Sequence, residues 1–443
     1  MNEGKIIVGL DIGTTKVACI VGREAENGKI EILGYGKSPS IGVRGGVVNN
    51  ISETVDAIKR AVNQASEQSN VDIKRVSVGI AGQHIKSVQH RGVMMRDNHE
   101  EVITEAELER LRQDTFKISM NPGEEIIDVI RQDTYVDSEQ TDNPIGMLGC
   151  KIEANFHVII GQTTAARNIV KCIESAGLEM DYMILEPICS ALAVLDDEEK
   201  EAGVAIVDIG GGTTDIAVFK DNKLQHTAVI PLGGNIITED ICVGCSITRH
   251  YAEEVKVRFG SAIASEKRDD EVVSIPGIKG RAAKEISFKN LASIIQARLD
   301  EIFDLVNYEL DKVRPKNQLI AGIVLTGGGA MMEHIRQLAE FRTGYEVRIG
   351  YPNEHLAETQ MKELSSPMYA TGIGIIIEAI ERMQHDKKLR DSIEGISKAQ
   401  APAEQPQPTV ELEPEKPSSG RKKPKKSFSV TEILTRFFRN DIE

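Results

Sequence analysis

Val8-Gly9-Leu10-Asp11-Ile12-Gly13-Thr14-Thr15-Lys16-Val17-Ala18 reads as an apolar strand, a tight turn and a second apolar strand. Far downstream, Ala205-Ile206-Val207-Asp208-Ile209-Gly210-Gly211-Gly212-Thr213-Thr214-Asp215-Ile216-Ala217 repeats the pattern. Glycine lets a chain turn sharply and bring backbone N–H groups against an anion without Cβ interference. The repeat therefore predicts two phosphate-gripping hairpins. Gly13, Thr14 and Thr15 form one tip, and Gly210, Gly211, Gly212, Thr213 and Thr214 form the other. Threonine hydroxyls add donors, and Lys16 adds a point charge. Asp11 and Asp208 end their strands on the same side of each half, placed to hold Mg2+ through its waters. Either copy alone is also readable as a plain glycine-containing hairpin. Two copies with the same Asp spacing point to a nucleoside triphosphate clamped with Mg2+ between two halves. There is no G-x-x-x-x-G-K-[ST], and the glycines lead into a strand rather than a helix, which excludes a P-loop and a dinucleotide fingerprint.

Outward from the hairpins, β-branched runs alternate with helical patterns, the signature of an α/β architecture. Strands are expected near 6–10, 76–80, 156–161, 204–207 and 323–325, and helices near 51–68, 164–176, 187–195 and 286–313. An inserted unit begins near His84, with Thr104 and Glu107 spaced as a capping box. A third glycine cluster, Gly327-Gly328-Gly329, follows an apolar strand and is expected to open a helix over 331–341. That would aim backbone N–H groups and a positive helix end at an anion or a flat base.

The net charge of −15 excludes a nucleic-acid binder that works through its overall field. There is no basic-then-apolar leader at Met1 and no apolar run long enough to span a bilayer, so a soluble body on the cytosolic side is expected. Six scattered cysteines suit reduced thiols in a core. Cys242 and Cys245 form a lone C-x-x-C, readable as helix packing or as a metal or redox pair.

The three glycine loops, in this order, resemble the phosphate-one, phosphate-two and adenosine motifs of the superfamily uniting actin, the heat-shock ATPase chaperones and the sugar kinases. Glu186-Pro187-Ile188-Cys189-Ser190-Ala191 and Tyr369-Ala370-Thr371-Gly372-Ile373-Gly374 resemble its two connecting helices. The resemblance implies that the nucleotide is ATP, that Glu186 orients an attacking water and that Glu253 and Lys256 bracket adenine and ribose. The latter pair is equally readable as a surface ion pair at i,i+3. Along nearly its whole length the chain resembles the FtsA family of bacterial cell-division actin homologues. The insertion, Gly42-Val43-Arg44-Gly45-Gly46, Pro231-Leu232-Gly233-Gly234-Asn235 and the tail all carry that likeness.

The organisation expected is an actin-like, ribonuclease H-like α/β fold in two domains around a nucleotide cleft. Its first domain comprises 1–83 and 164–200, with a family-specific subdomain inserted at 84–163. The second domain covers 201–368, including a smaller lobe near 235–314, and 369–384 return to the first. Residues 385–427 hold six of the fifteen prolines and read as a disordered linker, because so polar a segment buries too little apolar surface to offset its ordering entropy.

Residues 428–443 regain periodicity. Ser429 and Glu432 form a capping box with Phe428 and Ile433 as hydrophobic staple. Val430, Ile433, Leu434, Phe437 and Phe438 make one apolar stripe flanked by Arg436 and Arg439. Upstream, Arg421-Lys422-Lys423-Pro424-Lys425-Lys426 would attract anionic lipid. A membrane-surface helix is expected, the alternative being docking on a partner protein or on the chain's own body. A flexible linker of about 40 residues spans roughly 35 Å.

The resemblance implies a peripheral protein on the cytoplasmic face of the cell membrane at the division septum. There it would tether the tubulin-like FtsZ through that protein's C-terminal peptide, self-associate into filaments and recruit later division proteins. Nucleotide then switches assembly, with hydrolysis accessory. Three rivals remain. A heat-shock-type chaperone needs a β-rich peptide-binding domain after the hinge. A sugar kinase needs a substrate aspartate between the domains. An actin-like pilus-assembly protein shares fold and insertion, and absence of the terminal helix would favour it.

Overall fold

A computed structural model of the chain describes residues 5–25, 28–277, 281–313, 319–353, 355–357 and 361–399. The amphipathic tail at Phe428, Ile433, Leu434, Arg436, Phe437, Phe438 and Arg439 lies outside the described residues, as does the basic run before it.

The sequence repeat becomes a repeat of sheets. In the first half the strand order is Glu179–Leu185, Arg75–Ile80, Ile6–Ile12, Lys16–Glu24, Ile30–Pro39. The second half has the same design in Val347–Ile349, Ile323–Thr326, Val204–Ile209, Thr214–Lys220 and Lys223–Ile230. In each, the first hairpin strand is central, antiparallel to its hairpin partner and parallel to its other neighbour. Such a strand is covered on both faces and so is apolar almost throughout; Val204–Ile209 is wholly buried. The only charged residue in each of these central strands is therefore its late aspartate, Asp11 or Asp208. Both emerge at the carboxyl edge, where α/β sheets bind ligands.

Between Arg75–Ile80 and helix Thr163–Ser175 the chain builds a separate antiparallel sheet, ordered Lys86–Met95, Lys151–Gln162, Glu124–Val136, Glu139–Thr141. Helix Glu105–Thr115 covers it, and its Thr104–Glu107 capping box forms as predicted. Phe156, Ile152, Leu108 and Leu111 give this unit its own small core. The smaller lobe of the second half comprises helices Gly234–Cys245, Arg249–Phe259 and Phe288–Asp311 with the ribbon Val272–Ile275 and Lys284–Ser287.

The last helix, Ala370–Ala399, starts beside the hairpins and reaches the inserted unit. There Arg382 ion-pairs with buried Asp128, which also takes Arg112 Nη2 at 3.0 Å and Val129 N–H at 2.8 Å. Burial pushes the Asp128 carboxyl up, but the two guanidinium groups outweigh it and hold the carboxyl below its ordinary range.

Three expectations are corrected. The helix expected over 331–341 begins instead at Ile335: a 3-10 turn, Gly329–Met331, comes first, and His334 takes a left-handed conformation (φ 61°) that interrupts the winding. The long helix expected from 286 starts at Phe288, because Ile286 is buried within the ribbon strand Lys284–Ser287 and Ser287 caps the helix. The linker expected from His385 begins as helix. Residues 385–399 hold no proline, and Lys387, Lys388, Leu389, Arg390 and Glu394 are good helix formers, so they extend a helix already nucleated.

Candidate functional site

The two hairpins face each other tip to tip. A Cβ at Gly211 would lie 1.9 Å from Thr15 Oγ1, and one at Gly212 would lie 2.5 Å from Thr14 Oγ1. Strand register explains the fit. Asp11 pairs with Ala18 in one hairpin and Asp208 with Asp215 in the other, so Thr14 and Thr15 occupy the turn places of Gly211 and Gly212. Thr213 and Thr214 fall level with Lys16 and Val17. The threonine pairs that look equivalent in sequence are thus displaced, and bulky residues of one tip meet bare backbone of the other. Gly46 N–H donates to Thr14 Oγ1 at 3.2 Å, adding the turn after Val43–Arg44 to the wall.

Behind the tips stand four carboxylates. Asp208 Oδ2 accepts from Ser190 Oγ at 2.6 Å and from Thr371 Oγ1 at 3.1 Å, and the two hydroxyls lie 3.0 Å apart. Ser190 belongs to helix Glu186–Val194 and Thr371 to Ala370–Ala399, so both connecting helices meet at one aspartate. These helices touch backbone to backbone: a Cβ on Gly374 would lie 1.7 Å from the Cys189 carbonyl oxygen.

Asp215, which carries no role in the sequence reading, is buried beside Asp208, and its Oδ1 has no hydrogen-bond partner. Glu186 opens its helix with Cγ against Gly79, where a Cβ would lie 2.8 Å away. Burial, then Asp11, Asp215 and Asp208, push the Glu186 carboxyl well above its ordinary value. Burial and then Asp208 do the same to Asp215. Asp208 is also raised by burial, with its two hydroxyl donors offsetting part of the effect. The countercharge is Lys16, whose Nζ is 3.6 Å from Asp11 Oδ2.

Lys16 Nζ donates to the Met368 carbonyl at 2.7 Å and sits 5.0 Å from the Tyr369 ring centre. Thr213 donates to Asp215 Oδ2 at 3.1 Å, and buried Thr214 donates to the Leu232 carbonyl at 2.8 Å, so neither hydroxyl proton points at the tip. Gly13 turns tightly over the Lys16 carbonyl.

The third glycine loop closes on the second hairpin. Gly327 has φ 83°, and a Cβ there would lie 2.2 Å from Asp208 Oδ1; one on Gly329 would lie 2.4 Å from Ile209 Cγ2. Gly328 faces open space apart from Met368. Glu253 and Lys256 do form an ion pair, at 2.8 Å. Lys256 is also buried and donates to the Gly234 carbonyl and to Thr238 Oγ1, both at 2.9 Å, while Gly234 N–H bonds the Gly210 carbonyl at 2.9 Å. The pair thus also braces the second tip. Cys245 is buried and Cys242 half-buried on one helix, packed with the lobe's core.

The buried orphan oxygen of Asp215, and a carboxylate excess countered by one ammonium, fit a bound cation. Among the described residues no three His, Cys, Asp or Glu side chains stand close enough to chelate a metal directly. That donor set suits a cation held through water.

Duplicated five-stranded sheets, paired tips and two helices crossing behind them define an actin-like, nucleotide-binding class of protein. The solved PilM-PilN type IV pilus biogenesis complex shares the fold (TM-score 0.58, 16% identity, 84% of this chain and 98% of that one). So does MreB 5 of Spiroplasma citri, solved bound to AMPPNP (TM-score 0.52, 17% identity, 87% and 99%). The Hsp70 family matches residues 163–228, across the first connecting helix and second hairpin.

Within that class, the family described as cell division protein FtsA matches residues 205–374, and the SHS2 domain inserted in FtsA matches 82–160. Cell division protein FtsA of Pseudomonas aeruginosa is 37% identical, over 90% of this chain and 94% of its own. That of Neisseria meningitidis serogroup B is 41% identical, over 85% and 90%. That of Bacillus subtilis is 34% identical, over 85% and 84%. The chain belongs to the FtsA family of cell-division proteins.

Proposed function

We propose that the chain is an ATP-dependent membrane adaptor of the division septum. It would bind ATP between the tips, with Mg2+ held through water by Asp11 and Asp208 and supported by Asp215. The observation carrying the nucleotide reading is the latch of Ser190 and Thr371 on Asp208, because it joins the second phosphate hairpin to both interdomain helices. Phosphates entering between the tips must part Thr14 and Thr15 from Gly212 and Gly211, and the crossing helices convert that movement into a change between halves. Self-association into filaments follows from the domain closure that nucleotide sets.

Glu186 would orient a water, and burial with Asp11, Asp215 and Asp208 pushes its carboxyl well above the ordinary value before cation and nucleotide enter. Hydrolysis is taken as accessory to assembly. Gly13, Thr14, Thr15 and Lys16 serve the phosphates from one side and Gly210, Gly211 and Gly212 from the other. Gly327, Gly328, Gly329, Glu253 and Lys256 flank the nucleoside.

The FtsZ C-terminal peptide would dock on the lobe at 235–314, and later division proteins elsewhere on the body. No described helix is long and apolar enough to cross a membrane. Attachment is assigned to the stripe of Ile433, Leu434, Phe437 and Phe438, weak singly and strengthened by avidity in a filament.

Co-sedimentation with anionic liposomes and FtsZ tests the whole reading. Truncation after Ser427, or Phe437→Glu, should release both proteins from the lipid while Mg2+-ATP binding persists. Unchanged pelleting would remove the membrane role.

A further inference from the structure

The run of residues 363–371 reaches Lys16 of the first hairpin, the third glycine loop and Asp208, and it is anchored from outside the cleft. At its start, Glu363 lies in the 3-10 turn Lys362–Ser365 and takes three donors: Lys37 Nζ, the Tyr35 hydroxyl, and the Tyr369 hydroxyl at 2.9 Å. Tyr35 and Lys37 are two apart on strand Ile30–Pro39, so they project from the same face. Next, the Pro367 carbonyl accepts Gly327 N–H of the third glycine loop at 3.2 Å. The Met368 carbonyl then accepts Lys16, the Tyr369 ring lies beneath that ammonium, and Thr371 ends the run on Asp208.

We propose that Glu363 is a positioning residue of the nucleotide site, holding Lys16 on station through Tyr369. The inference rests on the nucleotide reading above. A lysine ammonium on its flexible stem needs a fixed floor to keep one geometry. Without one, Lys16 would collapse onto Asp11, already 3.6 Å away, and its charge would be spent on the carboxylate instead of a phosphate. The floor is the Met368 carbonyl and the Tyr369 ring, which belong to one short turn, Pro367–Tyr369.

That turn is fixed to the first sheet by Glu363. Tyr369 is 1% exposed and meets Tyr35 edge to face, with ring centres 6.2 Å apart. Its buried ring fixes where the residue sits, and its hydroxyl bond to Glu363 fixes how the ring is turned beneath Lys16. Lys37 and then the two phenols hold the Glu363 carboxyl down at about 2, so the anchor stays ionised in any buffer near neutrality. Glu363 itself is well exposed, its side chain 45% accessible to solvent.

The test is Mg2+-ATP affinity, measured with a fluorescent ATP analogue on the full chain, for wild type, Glu363→Ala, Lys16→Ala and the double variant. Glu363→Ala should weaken ATP on the order of five- to tenfold, the scale of one charge-assisted contact. It should have no further effect once Lys16 is alanine, which a merely structural role would not produce. Glu363→Gln keeps an acceptor for the phenols and should recover most of the affinity. Tyr369→Phe, which leaves the ring packed, should reproduce the alanine loss if the hydroxyl bond is the route. If wild type and Lys16→Ala differ while Glu363→Ala matches wild type, or if the two losses multiply, this inference is overturned and the nucleotide reading stands. A wild-type chain that binds no ATP overturns both.

Discussion

The two hairpins descend from one pattern and have divided its work. The first carries side chains at its tip, Thr14 and Thr15, and a cation, Lys16; opposite Asp11 its ladder places small Ala18. The second is bare backbone at Gly211 and Gly212, and opposite Asp208 it places a second acid, Asp215. One side brings donors and positive charge; the other brings close approach and negative charge. Two identical tips would fail on both counts, since threonine against threonine would hold the backbones apart and four acids without a lysine would repel any phosphate. The difference shows that a repeated motif can face its copy only after the copies become complementary.

The comparison breaks most completely at the contact between tips. Gly211→Val should abolish saturable Mg2+-ATP binding measured by calorimetry, because its side chain fills the space between the tips that phosphate must enter. Thr15→Gly in the same chain should restore part of it. Retained affinity in the single variant would show that the tips do not meet.

Next in size is the acid that only the second hairpin has. Asp215→Asn should weaken Mg2+-ATP on the order of tenfold, about 1.4 kcal/mol. In Mg2+-free, nucleotide-free protein it should instead raise Tm, since it removes a buried charge that its neighbours disfavour. Asp215 is raised by burial and Asp208, so the folded chain holds this proton more tightly than the unfolded chain does. Its penalty is present at neutral pH and fades as pH falls through the raised value. The Tm advantage of the variant should therefore close on acidification, and an advantage constant with pH would show that the gain is not electrostatic.

The smallest effects separate two threonines that the sequence makes look alike. Thr214→Val should cost about 1 kcal/mol in denaturant unfolding, because the half-buried Leu232 carbonyl loses its donor, with ATP affinity nearly unchanged. Thr15→Val, on an exposed tip, should leave stability alone and lower ATP affinity about threefold to tenfold. The reverse outcome would return the two threonine pairs to equivalence.

What could be read in advance follows from the range of the physics. Apolar runs buried on both faces, Asp-Ile-Gly turns and a capping box at Thr104 are local signals, so the sequence alone determined the duplicated α/β fold, both hairpins and the connecting helices. The helical stripe of residues 428–443 is equally local in its periodicity. Asp215, Ser190 and Thr371 were in plain view within quoted motifs, yet none showed its part. Strand register sets Asp215 level with Asp208, and only the crossing of two helices far apart in sequence brings Ser190 and Thr371 to one carboxylate. The start of the helix at Ile335 was hidden for the related reason that packing of Gly327 and Gly329 on Asp208 and Ile209, rather than local propensity, governs that turn. Sequence periodicity specifies elements, whereas the pairing of charges and hydroxyls across the cleft depends on distances that exist only after the sheets are built.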